Sequence, residues 1–150
     1  MSHVVSIKTE FRDLAAVKAA CAELGLTFKE GQKKIRWFGK WVNDYDAADA
    51  AYKLGIKPEQ YGTCDHAIEV PGSGYDVGLL HNPETNGYKL YFDFWGGHGK
   101  AIQNAIGNNG ETLLKYYAAH KTTMEAQKKG WLVTRSIKPT GEIKLQITGC

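Results

Sequence analysis

The sequence predicts an α+β domain, an antiparallel sheet with helices packed on one face, in the order β-α-β, insertion, β-β-β, α-α, β-β. Three patterns carry that prediction. Residues 5–24 pass from two-residue to three- and four-residue apolar spacing; residues 66–94 hold three strand-like stretches divided by Gly, Pro and Asn; residues 111–148 read as a helix and a hairpin.

Val5, Ile7, Thr9 and Phe11 alternate with Ser6, Lys8 and Glu10, as in a half-buried strand. Asp13 is placed to cap a helix carrying Leu14, Val17, Cys21 and Leu24, and Gly25 ends it. Residues 33–42, KKIRWFGKWV, read as a strand because aromatic and β-branched residues dominate, with Gly39 at a bulge. An alanine-rich run then keeps helical spacing as far as Leu54 and Gly55 before a turn at Pro58, so residues 44–62 are expected to form a surface insertion.

Strands resume with HAIEV from His66, a turn through Pro71, Gly72, Ser73 and Gly74, and YDVGLL over 75–80. Asn86 and Gly87 both tolerate the positive φ of a type I′ turn and signal a hairpin; HNPETNG is longer than a two-residue loop but is still expected to join 75–80 to 88–94 antiparallel. Tyr88, Leu90, Phe92 and Phe94 share one face of the second strand and Tyr91, Asp93 and Trp95 the other; either face suits burial. Ala101, Ile102, Ala105 and Ile106 give a short helix ended by GNNG. A longer one places Leu113, Tyr117, His120 and Met124 on one stripe, with Gly130 beyond its end. WLVTRSI and EIKLQIT close the chain as a hairpin about Pro139, Thr140 and Gly141.

With 150 residues, 43% of them apolar and 23% charged, residues 1–150 suffice for one domain with one core. Seventeen glycines against four prolines, spread without a period, indicate tight turns rather than a linker or repeat array. Apolar runs fall far short of the roughly 20 residues that cross a bilayer, and the N-terminus lacks a signal-peptide core, so a soluble cytoplasmic protein is expected. Cys21, Cys64 and Cys150 are odd in number and far apart, which argues against a disulfide framework and for Cys21 packing on its helix. A net charge of +3 and a pI of 8.7 permit an anionic partner without demanding one.

The stretch FDFWGGHGKAIQ, residues 92–103, leads from a strand through three glycines, His98 and Lys100 into a helix. Gly96 and Gly99-Lys100 stand too close together for a P-loop, and Ala101 replaces the Ser or Thr that would hold magnesium. A dinucleotide fingerprint fails too, because Ile102 occupies the place of its third glycine. Gly96, Gly97 and Gly99 leave backbone N–H groups for an anion at a helix N-terminus, with Lys100 beside them and Trp95 for stacking on a base. The same glycines also suit simple strand-to-helix packing, and His98, which neither a core nor a turn requires, distinguishes the two.

Residues 33–42 interleave Lys33, Lys34, Arg36 and Lys40 with Trp37, Phe38 and Trp41, as single-strand-binding surfaces do. An edge strand with Ile35, Trp37 and Gly39 inward and Lys34, Arg36 and Lys40 solvated fits as well. Cys64-x-His66 lacks the further ligands of a zinc site, and no metal site or cofactor is expected. Cys64, Asp65 and His66 are too local for a triad, and Asp65, Glu69, Asp76 and Asp93 have the spacing of turn and surface carboxylates, so no catalytic residue is assigned.

MSHVVSIKTEFRDLAAVKAA at the start, YDVGL and GYKLYFDFW in the middle, and KKGWLVTRSIKPTGEIKLQI at the end resemble a family of hypothetical chloroplast reading frames also found in cyanobacteria and tailed phages. The resemblance spans nearly the whole chain. Its alanine-rich segment and YGTCDHAIEVPG resemble the longer phage-type members, implying a phage source; the family carries no activity to transfer to any residue.

The function expected from the sequence is non-catalytic binding of a phosphate-bearing ligand, a nucleotide or short nucleic acid, such as a nucleotide that signals in a phage host. The residues expected to carry it are Trp95, Gly96, Gly97, His98, Gly99 and Lys100, with Arg36, Trp37 and Trp41. The alternatives are a protein-interaction or assembly module that docks a host protein or a second copy through aromatic surface, and a small nucleotide-processing enzyme. Steep salt dependence marks phosphate contacts and separates the first two.

Overall fold

The computed structural model describes residues 4–6, 10–36, 64–93 and 96–149. Strands β1 (Val4–Ser6), β2 (Thr27–Lys29), β3 (His66–Glu69), β4 (Asp76–Asn82) and β5 (Gly87–Asp93) form an antiparallel sheet in the order β1-β5-β4-β3-β2. Helices α1 (Leu14–Glu23), α2 (Gly96–Ile106) and α3 (Glu111–Lys128) follow the chain order, and β6 (Leu132–Ile137) pairs with β7 (Ile143–Thr148) as a separate two-stranded ribbon. Helices and antiparallel sheets thus make the α+β class expected.

Two-residue periodicity divides the large sheet cleanly. Ile68, Val77, Leu79, Leu90 and Phe92 point to the helices and join Val17, Cys21, Ile102, Ile106 and Leu113 in the main core, all at most 2% exposed. Ala67, Gly78 and Tyr91 lie in register on the opposite face, where Ile35 and Cys64 complete a smaller cluster. Both faces of β5 are therefore buried. Gly78 permits this, since a Cβ there would come within 2.7 Å of the Tyr91 ring and 3.2 Å of Ile35.

Asp13 caps α1, its Oδ1 accepting from the Ala16 N–H at 3.3 Å, and Gly25 beyond the helix takes φ +74. The antiparallel hairpin expected across HNPETNG forms, through a turn longer than two residues. Asn86 has φ 59, but Gly87 is already in the strand, where a side chain would strike Glu10. Phe11 bridges Tyr88 and meets Tyr117 edge-on with ring centroids 4.7 Å apart, while the Tyr117 hydroxyl accepts from the Arg12 and Asp13 N–H groups. That contact locks the start of α1 onto α3.

The strand after α1 is β2, Thr27–Lys29, one segment earlier than the one expected at 33–42. Three residues are too few for an alternation to show. Of that expected strand, residues 33–36 are described: the Lys33 carbonyl accepts from the Cys64 N–H and the Arg36 carbonyl from the Asp76 N–H, both at 2.9 Å. Trp37, Trp41 and the insertion expected over 44–62 lie outside the described residues. The ribbon sits on α3 through the half-buried Val133, Arg135, Ile143 and Leu145, and Arg135 reaches past it to Glu23 of α1.

Candidate functional site

The glycine run is the first turn of α2 rather than a loop before a helix that starts at Ala101. Gly96 adopts φ +69 as the chain turns in, Gly99 is buried, and the amphipathic stripe of Ile102 and Ile106 continues behind it. A glycine run lowers helix propensity, so sequence alone places the start too late. Tertiary hydrogen bonds supply what propensity lacks. The Ser73 hydroxyl donates to the His98 carbonyl oxygen at 2.8 Å and accepts from the Tyr75 N–H at 3.0 Å, and the Gly74 N–H donates to His98 Nδ1 at 2.7 Å.

His98 is therefore the clamp between α2 and the turn that joins β3 to β4. Its ring lies on Gly74, where a Cβ would stand 3.0 Å from Cε1, and beside Tyr75 with centroids 5.1 Å apart. Because Nδ1 accepts a hydrogen bond, the neutral ring carries its proton on Nε2, which becomes a donor. Helix geometry gives the first four N–H groups of α2 no partner within the helix, and the dipole makes that end positive. Among the described residues, no atom lies within 4 Å of where a Cβ would stand on Gly96 or Gly97. Lys100 is exposed on the same turn.

Arg36 binds Asp76, two positions beyond Gly74. Its backbone N–H donates to Asp76 Oδ2 at 2.8 Å, and Nη2 and Nε bind the carboxylate at 2.7 and 3.1 Å. Gly74, held by His98, and Asp76, held by Arg36, are two positions apart, so the two basic and glycine-rich segments meet at one turn. The arginine is nevertheless occupied. Asp76 is 2% exposed and Glu69 lies 3.8 Å from Nη2, which makes Arg36 the partner of a buried carboxylate instead of a free cation for a ligand. Trp95, Trp37 and Trp41 are outside the described residues; Trp95 precedes Gly96 and Trp37 follows Arg36 in the chain.

Two members of this arrangement escape a reading of the sequence. Asp76 looks like any strand-end carboxylate, and only its burial reveals its role. Ser73 carries a faint signal, since Ser followed two positions later by an ordered residue is a side-chain turn.

Among the described residues the two thiols, Cys21 and Cys64, are free and buried. Burial pushes both Cys21 and Cys64 up to about 12, with Asp65 and Asp76 adding to the effect at Cys64. Cys64 donates to the Gln32 carbonyl at 3.0 Å, whereas His66 packs between Phe28 and Tyr88 and accepts from the Gly31 N–H on Nδ1. Among the described residues no group of three or more His, Cys, Asp or Glu is placed to hold a metal, and no helix is long and apolar enough to cross a membrane.

No protein-family model, curated protein or solved structure matches the chain.

Proposed function

We propose that the protein binds a phosphate-bearing ligand, a nucleotide or a short nucleic acid, at the first turn of α2, and performs no chemistry on it. The observation that carries this reading is the glycine-lined start of α2, whose N–H groups from Gly96 to Gly99 stand on the same turn as His98 and the exposed Lys100. Donors alone in that number suit an anion, and the helix dipole adds to them.

The missing side chains at Gly96 and Gly97 let phosphate oxygens approach the backbone. Trp95 follows in the proposal as the ring that stacks on a base, with Trp37 and Trp41 as further rings for stacking; Arg36 contributes by fixing the turn through Asp76. For a phage-encoded protein such binding would sequester a nucleotide of its host, which is why no catalytic group is needed.

Native mass spectrometry of protein purified from cells, before and after denaturation, tests the reading. A released mass of nucleotide size, absent from Lys100→Ala and Trp95→Ala proteins with unchanged circular dichroism, supports it. A bare monomer or clean oligomer would instead point to a protein partner, and unchanged ligand in both variants would remove these residues from the site.

A further inference from the structure

Among the described residues, the β6–β7 ribbon pairs with no third strand, and one hydrogen bond fixes which backbone groups its edges present. The Lys138 N–H donates to the Glu142 carbonyl at 2.9 Å, and bonded and non-bonded positions alternate along an antiparallel pair. Lys144, Gln146 and Thr148 therefore bond to β6, while Ile143, Leu145 and Ile147 direct their N–H and C=O groups to the free edge of β7. By the same parity Val133, Arg135 and Ile137 direct theirs to the free edge of β6. Among the described residues, none of these edge groups has a hydrogen-bond partner.

The two edges are unlike. Arg135 brings a charge to the inner face of β6 and is tied to Glu23 of α1, and an inward charge is a common guard against strand addition. On β7 the same face is Ile143, Leu145 and Ile147, without a charge, and Ile147 stays 39% exposed although it lies on the side toward α3. Between β7 and α3 runs an open groove of about 270 Å³, lined by Lys115, Ala118, Ala119, Thr122, Ile143 and Leu145.

We propose that the free edge of β7 pairs antiparallel with the same edge of a second copy of this chain, joining two ribbons into a four-stranded sheet about a two-fold axis at Leu145. In that register Leu145 faces its twin and Ile143 faces Ile147 of the second copy, so the edge N–H and C=O groups of all three residues are taken up. On the outer face Lys144 meets Gln146 of the second copy, and no like charges are opposed. An axis at Lys144 would set lysine against lysine, and one at Gln146 would carry Ile143 beyond the end of the facing strand. The β6 edge offers no equivalent, because Arg135 holds its middle position and would face its own twin.

The spacing fits as well. With strands about 4.8 Å apart the two ribbon centres stand about 10 Å apart, so α3, which packs under both strands, meets its twin at the interaxial distance usual for packed helices. Ala118 and Thr122 are small enough for that approach, and the inner side chains of the second copy, Leu145 and Ile147, enter the groove beside them. The β7 edge and the first turn of α2 are different elements, so the dimer neither requires nor excludes a ligand at α2.

Sedimentation equilibrium of the full chain across the micromolar range tests the pairing, with a dimer expected. Ile147→Lys puts a charge into the joint and should raise the dimer dissociation constant by more than about tenfold, whereas Ile137→Lys on the β6 edge should leave it unchanged. A second measurement does not depend on how well Ile147→Lys folds. Lys144→Cys with Gln146→Cys, both at exposed positions in a Cys150→Ser chain, sets facing cysteines about 4.5 Å apart at Cα, and mild oxidation should then yield a covalent dimer. The β6 pair, Thr134→Cys with Ser136→Cys, should yield none. A monomer throughout the range overturns the proposal, as does a dimer that Ile147→Lys leaves intact. Loss of the dimer in Ile137→Lys alone, or cross-linking through the β6 pair and not the β7 pair, also overturns it.

Discussion

The Gly74 N–H donates a 2.7 Å hydrogen bond to His98 Nδ1, which ties the turn between β3 and β4 to the first turn of α2. The flat approach of the ring to Gly74 depends on there being no Cβ beneath it. Gly74→Ala should push the ring away by a few tenths of an ångström and lower stability by about 1 kcal/mol, the worth of one hydrogen bond. His98→Ala should do the same and in addition weaken any anion bound at α2. Urea denaturation beside ligand titration checks both; an unchanged midpoint in each variant would mean that the clamp contributes nothing.

Arg36 and Asp76 form the second brace of that turn, and their exposures are unequal. The arginine side chain is 52% exposed and the aspartate 3%. Removing the arginine leaves a buried carboxylate without its charge partner, so Arg36→Ala should cost about 2 kcal/mol, less than the ~3–5 of a fully buried pair because water reaches the guanidinium. Asp76→Ala with Arg36→Ala together should be less damaging than the two single losses summed. A double-mutant cycle in denaturant measures the coupling, and additive losses would show that the pair is unimportant.

Gly78 predicts a packing effect with no polar component. Tyr91 and Ile35 occupy the space a methyl group would need, and the nearest atom is only 2.7 Å from it. Gly78→Ala should destabilise the protein by about 1–3 kcal/mol through overpacking. Tyr91→Leu in the same chain should recover part of that loss. Thermal melts of the single and double variants decide it; a stabilised Gly78→Ala protein would mean that the far face is loosely packed.

Glu23 links three elements. It binds Arg135 of β6 through both carboxylate oxygens and His120 of α3 at 2.7 Å. Arg135, followed by His120, holds the carboxyl below its usual value of 4.5 against the opposing effect of burial. Because the folded value is the lower one, this stabilisation is complete above the unfolded value and is lost as pH falls through the folded one. Stability should therefore drop as pH falls below about 4.5, and Glu23→Gln should remove part of that slope. Denaturation midpoints over falling pH test it, an unaltered slope in the variant being the contrary result.

The thiols supply a chemical test of the core. Cys21 and Cys64 are buried and pushed up to about 12, so near neutral pH each is almost wholly protonated. Neither should react with a maleimide while the protein is folded, and both should react on denaturation. Site-resolved mass spectrometry measures this directly. Rapid native labelling of Cys64 would show that the far-face cluster opens.

The sequence by itself determined the elements whose residues repeat their pattern over enough positions. Val17 and Cys21 mark α1, Leu113 and Tyr117 mark α3, and the Val133 and Leu145 stripes mark the ribbon; each period is set by local backbone geometry, so burial follows it. It also brought Gly96 to Lys100 into view as one chemical group. Tertiary structure alone decided what those residues do. The start of α2 at Gly96 depends on Ser73 and Gly74, far away in the chain, and the role of Arg36 depends on the burial of Asp76 forty positions on. Short β2 and both-sided burial of β5 are likewise decided by neighbours that only folding supplies. Local periodicity survives in the sequence because each residue acts through the few beside it, whereas a clamp or a buried ion pair exists only when distant segments meet.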